Sequence, residues 1–262
     1  MKKNLMSLTM ICTTLLYSAA CIAETVREDR KTDAFSRINA GDGIDVYYTQ
    51  SDSYSLAVEA DKDYVGKIIT KVEGETLVVK LENGIKTSVR KILRNRVIKV
   101  HVSAPVLDRV GVYGGSDFYA DKLTCDKSFQ LEAAGGADAK ISSLTVTGDA
   151  SISASGGADA DIVSMIVAGN ADISASGGAD CDIKKLHAVE CKLSSSGGSD
   201  LDISLELSGN LKANASGGAD INISGKANEV SVSASGGSDI NIRKLECKSA
   251  DIHKSGGSDV HR

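Results

Sequence analysis

The sequence predicts an all-β fold: a single-stranded parallel β-helix of about eight coils of 19–21 residues, preceded by an N-terminal β cap that contains one short helix. Three observations carry this expectation. Two glycines followed by a small residue and an aspartate recur eight times, starting at Gly114, Gly135, Gly156, Gly177, Gly197, Gly217, Gly236 and Gly256, with spacings of 21, 21, 21, 20, 20, 19 and 20 residues. Around each pair, apolar and polar residues alternate, as strands with one buried face require. The composition, with 26 Gly, one Pro and 4% aromatic residues, favours thin repetitive β structure filled by small side chains.

Taken in chain order, residues 1–23 read as an export signal: two lysines, an apolar run from Leu5 to Leu16, then small residues. The run is too short and wrongly flanked for a membrane span. Cleavage after Ala20 would leave Cys21 first, in a loose bacterial lipobox that marks it for lipidation; cleavage after Ala23 would leave a plainly exported protein. Residues 24–97 lack the repeat and form the cap. Strand-like runs are "GIDVYYTQ", "YSLAVEA" and "ETLVVKL", and the amphipathic "DKDYVGKIIT" (61–70) reads as a helix of two or three turns. The cap covers the open first coil, which would otherwise present unpaired strand edges.

Residues 98–262 hold the coils. Forward from each glycine pair, an inward column runs Phe118, Ala139, Ala160, Cys181, Leu201 and Ile221, with mostly isoleucine two residues on; backward runs another that includes Leu131, Ile152 and Ile173. "LTV" (144–146), "MIV" (165–167) and "LEL" (205–207) supply a third strand, and Gly148-Asp149, Gly169-Asn170 and Gly209-Asn210 turn the corner after it. Three strands in about twenty residues make one coil of a β-helix. Stacked at about 4.8 Å, eight coils make a rod of roughly 35 to 40 Å. Adjacent glycines in every period exclude helices, and the period excludes a nonapeptide calcium roll. Cys181 and Cys191 fall in inward columns and read as small buried residues rather than disulfide partners. At the last coil, Lys254 stands in a column that is mostly alanine, a charge that blunts edge-to-edge growth.

The formal charge of -5 gives no reason to expect nucleic acid or an anionic membrane as partner. Two outward columns carry the chemistry. One is aspartate in all eight units, and the other includes Asp161, Asp182 and Asp202. Like charges about 5 Å apart repel by around 1 kcal/mol even in water. Two arrangements offset this. Each aspartate accepts backbone N–H bonds from a glycine turn, or the pairs Asp159 and Asp161, Asp180 and Asp182, and Asp200 and Asp202 ligate calcium. No serine in the column Ser155, Ser176, Ser196, Ser216, Ser235 and Ser255 is distinguished, so it reads as a hydroxyl ladder and not a nucleophile. Coils of nearly constant length leave no insertion to wall an active-site cleft. Sugar platforms favour aromatic rings, and Tyr47, Tyr48, Tyr113 and Tyr119 near the cap are the candidates for one.

The stretch "FSRINAGDGIDVYYTQSDSYSLAVEAD", then "TKVEGETLVVKL", then the tandem glycine-aspartate repeats, resembles the putative autotransporter-adhesin head GIN domain family, common in Bacteroidetes. The resemblance runs from about Phe35 to the end. It implies a right-handed β-helix similar to those of the pectin-lyase type and adhesion at the cell surface, and it brings no catalytic residues. The expectation is a non-enzymatic exported protein of the cell envelope or exterior that binds a surface glycan or protein and needs no cofactor. A purely structural envelope scaffold is the alternative, and a polysaccharide-acting enzyme a lesser one.

Overall fold

A computed structural model describes residues 24–83 and 98–262. The expected export signal and Cys21 lie outside the described residues. The chain winds into a β-solenoid of about seven turns.

One repeat explains the rest. In β10 (Phe129–Ala134), Phe129, Leu131 and Ala133 point inward and Gln130 and Glu132 outward. Gly135-Gly136 turns the chain, and β11 (Asp138–Val146) buries Ala139 and Ile141 before a bend and Leu144 and Val146 after it. The next coil repeats this: β12 (Ala150–Ser155) and β13 (Asp159–Val167) lie parallel on β10 and β11, Leu131 on Ile152 and Ile141 on Ile162. Each coil thus contributes three strand segments, separated by the glycine corner, the bend and the third corner. β14 (Ala171–Gly177) continues the stack. From there the path becomes continuous: β15 (Asp180–Gly197), β16 (Asp200–Gly217), β17 (Asp220–Gly236) and β18 (Asp239–Gly256) each run through a whole coil, and β19 (Asp259–His261) begins another. The isoleucines at 141, 162, 183 and 203 are all at most 1% exposed, so the core is a set of columns along the axis. Burying each is worth about 1.5–3 kcal/mol.

Cys181 and Cys191 occupy the inward columns expected of them. They, Cys125 and Cys247 are free. Burial pushes the Cys181 and Cys191 thiols up to about 12, so they behave as small apolar groups. In the "LEL" stretch the alternation breaks. A register shift lets His187 pair with Leu207, which leaves Leu205 buried but turns Leu207 outward, 51% exposed.

The N-terminal segment is threaded in a way no repeat announces. β2 (Arg37–Ala40) and β3 (Asp45–Gln50) stack parallel beneath β8 (Arg109–Tyr113) and β9 (Phe118–Cys125). β6 (Thr76–Leu81) and β7 (Lys99–Ala104) stack beneath those in turn. The end is then covered by antiparallel strands: β4 (Ser55–Asp61) on β7, β1 (Thr25–Asp29) on β4, and β5 (Ile68–Glu73) on β6. The expected helix at 61–70 shrinks to a single 3₁₀ turn at Val65–Lys67, because Ile68 and the residues after it are taken by β5. The Arg30 guanidinium donates to the Val65 carbonyl at 2.8 Å and the Thr70 hydroxyl at 3.1 Å, fixing this turn. Where no strand among the described residues pairs with the third segment of β9 from below, Gln50 takes that place. Its side chain donates to the Thr124 carbonyl and accepts from the Thr124 amide, both at 2.8 Å.

Candidate functional site

The alternation of β11, β13 and their successors sends the repeat aspartates outward on the second segment. The registers of adjacent coils stack them: Asp138 on Asp159, Asp159 on Asp180, Asp180 on Asp200. The column continues into the N-terminal coils, because Asp45 lies in register below Asp117 and Lys99 below Asp45. The carboxylates of Asp45, Asp117, Asp159 and Asp200 accept the amide of the aspartate one coil on, and not an amide of the glycine turn expected from the sequence. Asp117 Oδ1 accepts the amide of Asp138, one coil on, at 3.1 Å, and its Oδ2 accepts the Tyr119 hydroxyl at 3.0 Å. The corner directs the glycine amides elsewhere, to main-chain carbonyls such as Ser155 from Gly135.

These bonds only partly offset the crowding. Partial burial, then Asp138, Asp180 and Asp161, hold Asp159 above the usual carboxylate range, against the lowering effect of the Asp180 amide. Asp200 is raised in the same way by burial, Asp180 and Asp220. Asp182 is raised by burial and by Asp202 and Asp161, with Lys184 opposing. Burial and Asp117 push Asp45 up to about 6, while the Asp117 amide and Lys99 pull it down. Asp161 and Asp202 complete the pairs named from the sequence. Within a pair the two residues are two apart on one strand, and among the described residues no three His, Cys, Asp or Glu side chains gather to hold a metal ion. Calcium, with its six to eight oxygen ligands, would need more donors than a pair offers.

The tyrosine candidates separate. Tyr47 and Tyr119 meet in successive coils, rings stacked at 4.8 Å, and His101 stacks on Tyr47 from the opposite coil at 5.4 Å. Both faces of Tyr47 are therefore covered. Tyr48 is unavailable to a surface ligand: the strand alternation turns it inward, 4% exposed, where its hydroxyl donates to the Ala104 carbonyl at 2.9 Å. Tyr113 lies on the first segment, folded over Gly111. The serine column does not form a hydroxyl ladder. Among these hydroxyls only Ser235 makes a side-chain bond, to the Ala215 carbonyl at 3.5 Å, whereas Ser204 and Ser224, elsewhere in the stack, do bond across one coil at 2.9 Å.

Sequence reasoning missed a different feature. A groove of about 1020 Å³ follows the third corner along the rod, from Phe129 to Ala250. Its floor is the backbone at buried Ala150, Ala171, Cys191 and Leu211, and its walls are the polar residues on either side, such as Glu190 and Lys192. The recurring polar, apolar, polar triplet after each third corner is the signal that could have located it.

The chain matches the family described as putative auto-transporter adhesin, head GIN domain, over residues 34–208 and 171–261. Solved structures share its fold. A putative adhesin from Bacteroides fragilis is 19% identical, with a TM-score of 0.66, covering 91% of this chain and 96% of that one. A putative adhesin from Parabacteroides merdae is 16% identical, with a TM-score of 0.76 and coverage of 92% and 96%. A protein described as a putative lipid binding protein, from Parabacteroides distasonis, is 15% identical, with a TM-score of 0.61 and coverage of 92% and 98%. The comparison with curated proteins gives no match. The chain belongs to the head GIN domain family.

Proposed function

We propose that this member of the head GIN domain family is a non-catalytic exported interaction module that binds a surface partner along the side of its rod. The observation that carries the reading is the regularity of the stack: coils of 19 to 21 residues lie parallel and in register over about seven turns, giving one extended side surface. Such a surface suits recognition of an extended partner. A catalytic centre needs distinct acid, base and nucleophilic groups brought to one point, whereas the aspartate column repeats one group at all eight corners. The family's description as an adhesin supports the same reading.

Export is part of the proposal. Residues 1–23 are read as its signal, and Cys21 as the residue that is lipidated if cleavage follows Ala20. No helix among the described residues is long and apolar enough to cross a membrane. Mass spectrometry of the mature N-terminus separates a diacylated Cys21 from an N-terminus at Glu24. The binding role is tested by probing the immobilised mature chain with a glycan array and a peptide array. Saturable binding on either supports the module. Binding on neither, with loss of envelope integrity when the gene is deleted, would instead mean a structural scaffold.

A further inference from the structure

We propose that the third corner of the rod docks an extended, basic and aliphatic segment of a partner protein. This rests on the reading of the chain as a binding module and names its surface and the chemistry of its partner.

Two independent features meet at this corner. The first is the groove of about 1020 Å³, which spans seven coils. At about 4.8 Å per coil it is roughly 30 Å long, room for about nine residues of extended chain. The second is an exposed aliphatic ridge beside it. Six large apolar side chains are strongly exposed among the described residues, and four of them lie between the bend and the third corner of three successive coils: Val163 at the bend, Ile166 and Leu207 on the third segment, and Val189 at the corner itself. Register aligns Ile166, His187 and Leu207 in one column, and Val189 directly precedes Glu190, which forms the groove wall. An apolar patch with a polar rim marks an interaction surface.

Charge selects the occupant. Five carboxylates line the groove against two lysines. One of those, Lys192, is already paired with Asp172 at 2.9 Å. Nucleic acid and acidic glycans are repelled, and an acyl chain would meet charged walls. The main-chain groups of the floor are spent on bonds between coils, so an occupant lying along the axis meets side chains. A neutral sugar finds no exposed aromatic ring here, because Phe129, the aromatic of the groove, is fully buried. A segment carrying lysine or arginine for the walls and aliphatic side chains for the ridge fits both features.

The test uses the full mature chain and fluorescent peptides of about twelve residues. One alternates Lys and Val; its controls replace Lys by Glu, or Val by Ser. Anisotropy is read for the wild type, Val189→Ser/Leu207→Ser, Glu190→Gln/Glu229→Gln, and Asp180→Asn/Asp200→Asn, which removes the same charge from the second segment. The inference expects the Lys-Val peptide to bind at least about tenfold more tightly than either control peptide. Each groove variant should weaken it about fivefold or more, while the Asp180/Asp200 variant stays within about twofold. The groove variants should keep the wild-type melting temperature, since the altered side chains are exposed, and the Asp180/Asp200 variant should melt no lower than the wild type, since it relieves crowding among like charges. Equal losses in all three variants would reduce the effect to unspecific charge attraction and overturn the inference. So would a wild type that binds oligosaccharides on the array but not the Lys-Val peptide; the binding-module reading would survive that result. Binding to neither peptides nor oligosaccharides would remove both.

Discussion

Replacing Gly177 by alanine should destabilise the rod, whereas replacing Gly178 should not, although the sequence writes the two alike. Gly177 has a φ of +86°, a conformation that costs an L side chain about 1–2 kcal/mol. Its new Cβ would also stand 3.1 Å from the Gly156 amide nitrogen and 3.3 Å from the Gly156 Cα, backbone atoms of the preceding coil that the stack holds in place. Opening that contact adds a further 1–2 kcal/mol or so, giving about 2–4 kcal/mol in all. Gly178 is outside the positive-φ region and a Cβ there meets nothing within 4 Å. Alanine at that position restricts only the unfolded chain and should add about 0.4–1 kcal/mol. For a chain of this size each kcal/mol moves the melting temperature by about 2–4 °C. Calorimetry of the mature chain should thus show Gly177→Ala melting roughly 5–15 °C lower and Gly178→Ala unchanged or slightly higher. Equal losses for the two variants would refute the reasoning.

Three further outcomes follow from other parts of the stack. Asp45 titrates higher in the folded chain than in the unfolded one, so the stability it contributes is complete below the ordinary range near 3.8 and is lost as pH rises through about 6. Asp45→Asn should therefore gain most over the wild type at pH 7.5 and show a smaller melting-temperature difference between pH 5 and pH 7.5; parallel profiles would contradict this. Gln50→Ala leaves the Thr124 amide and carbonyl without their partner, at about 1–3 kcal/mol, and hydrogen exchange at Thr124 should accelerate selectively. Millimolar calcium should leave the melting temperature of the chain unchanged; a rise of several degrees that Asp161→Asn/Asp182→Asn abolishes would establish a cation site in the aspartate columns.

The coils were legible because the same residue kind returns to the same place. Ile141, Ile162, Ile183 and Ile203 announce a column, and the alternation around them tells inside from outside, which is why Cys181 could be placed from sequence. What escaped depends on contacts between segments far apart in the chain. Gly-Gly reads as one turn throughout, yet both glycines have positive φ at Gly156-Gly157 and only the first does from Gly177 on. The change coincides with the step from a 21-residue to a 20-residue spacing, which pulls the corner into continuous strand. The placement of β2 and β3 between β6–β7 and β8–β9 could not be read, since a coil that enters the stack out of order carries no repeat to mark it. An aromatic near the cap is a candidate ligand contact by composition alone; of the adjacent Tyr47 and Tyr48, strand alternation gives only Tyr47 an outward position. The third-corner groove went unnoticed because its floor residues, such as Ala171 and Leu211, read as core and its walls as ordinary solvated residues.

The central claim is that the chain binds an extended partner along its side without chemical turnover. Hydrogen exchange of the mature chain, measured with and without the tightest ligand found on the arrays, tests it most directly. The account expects protection at equivalent positions of several consecutive coils, a stripe parallel to the axis, with the ligand recovered intact. Protection confined to one coil, or a ligand returned chemically altered, would contradict it.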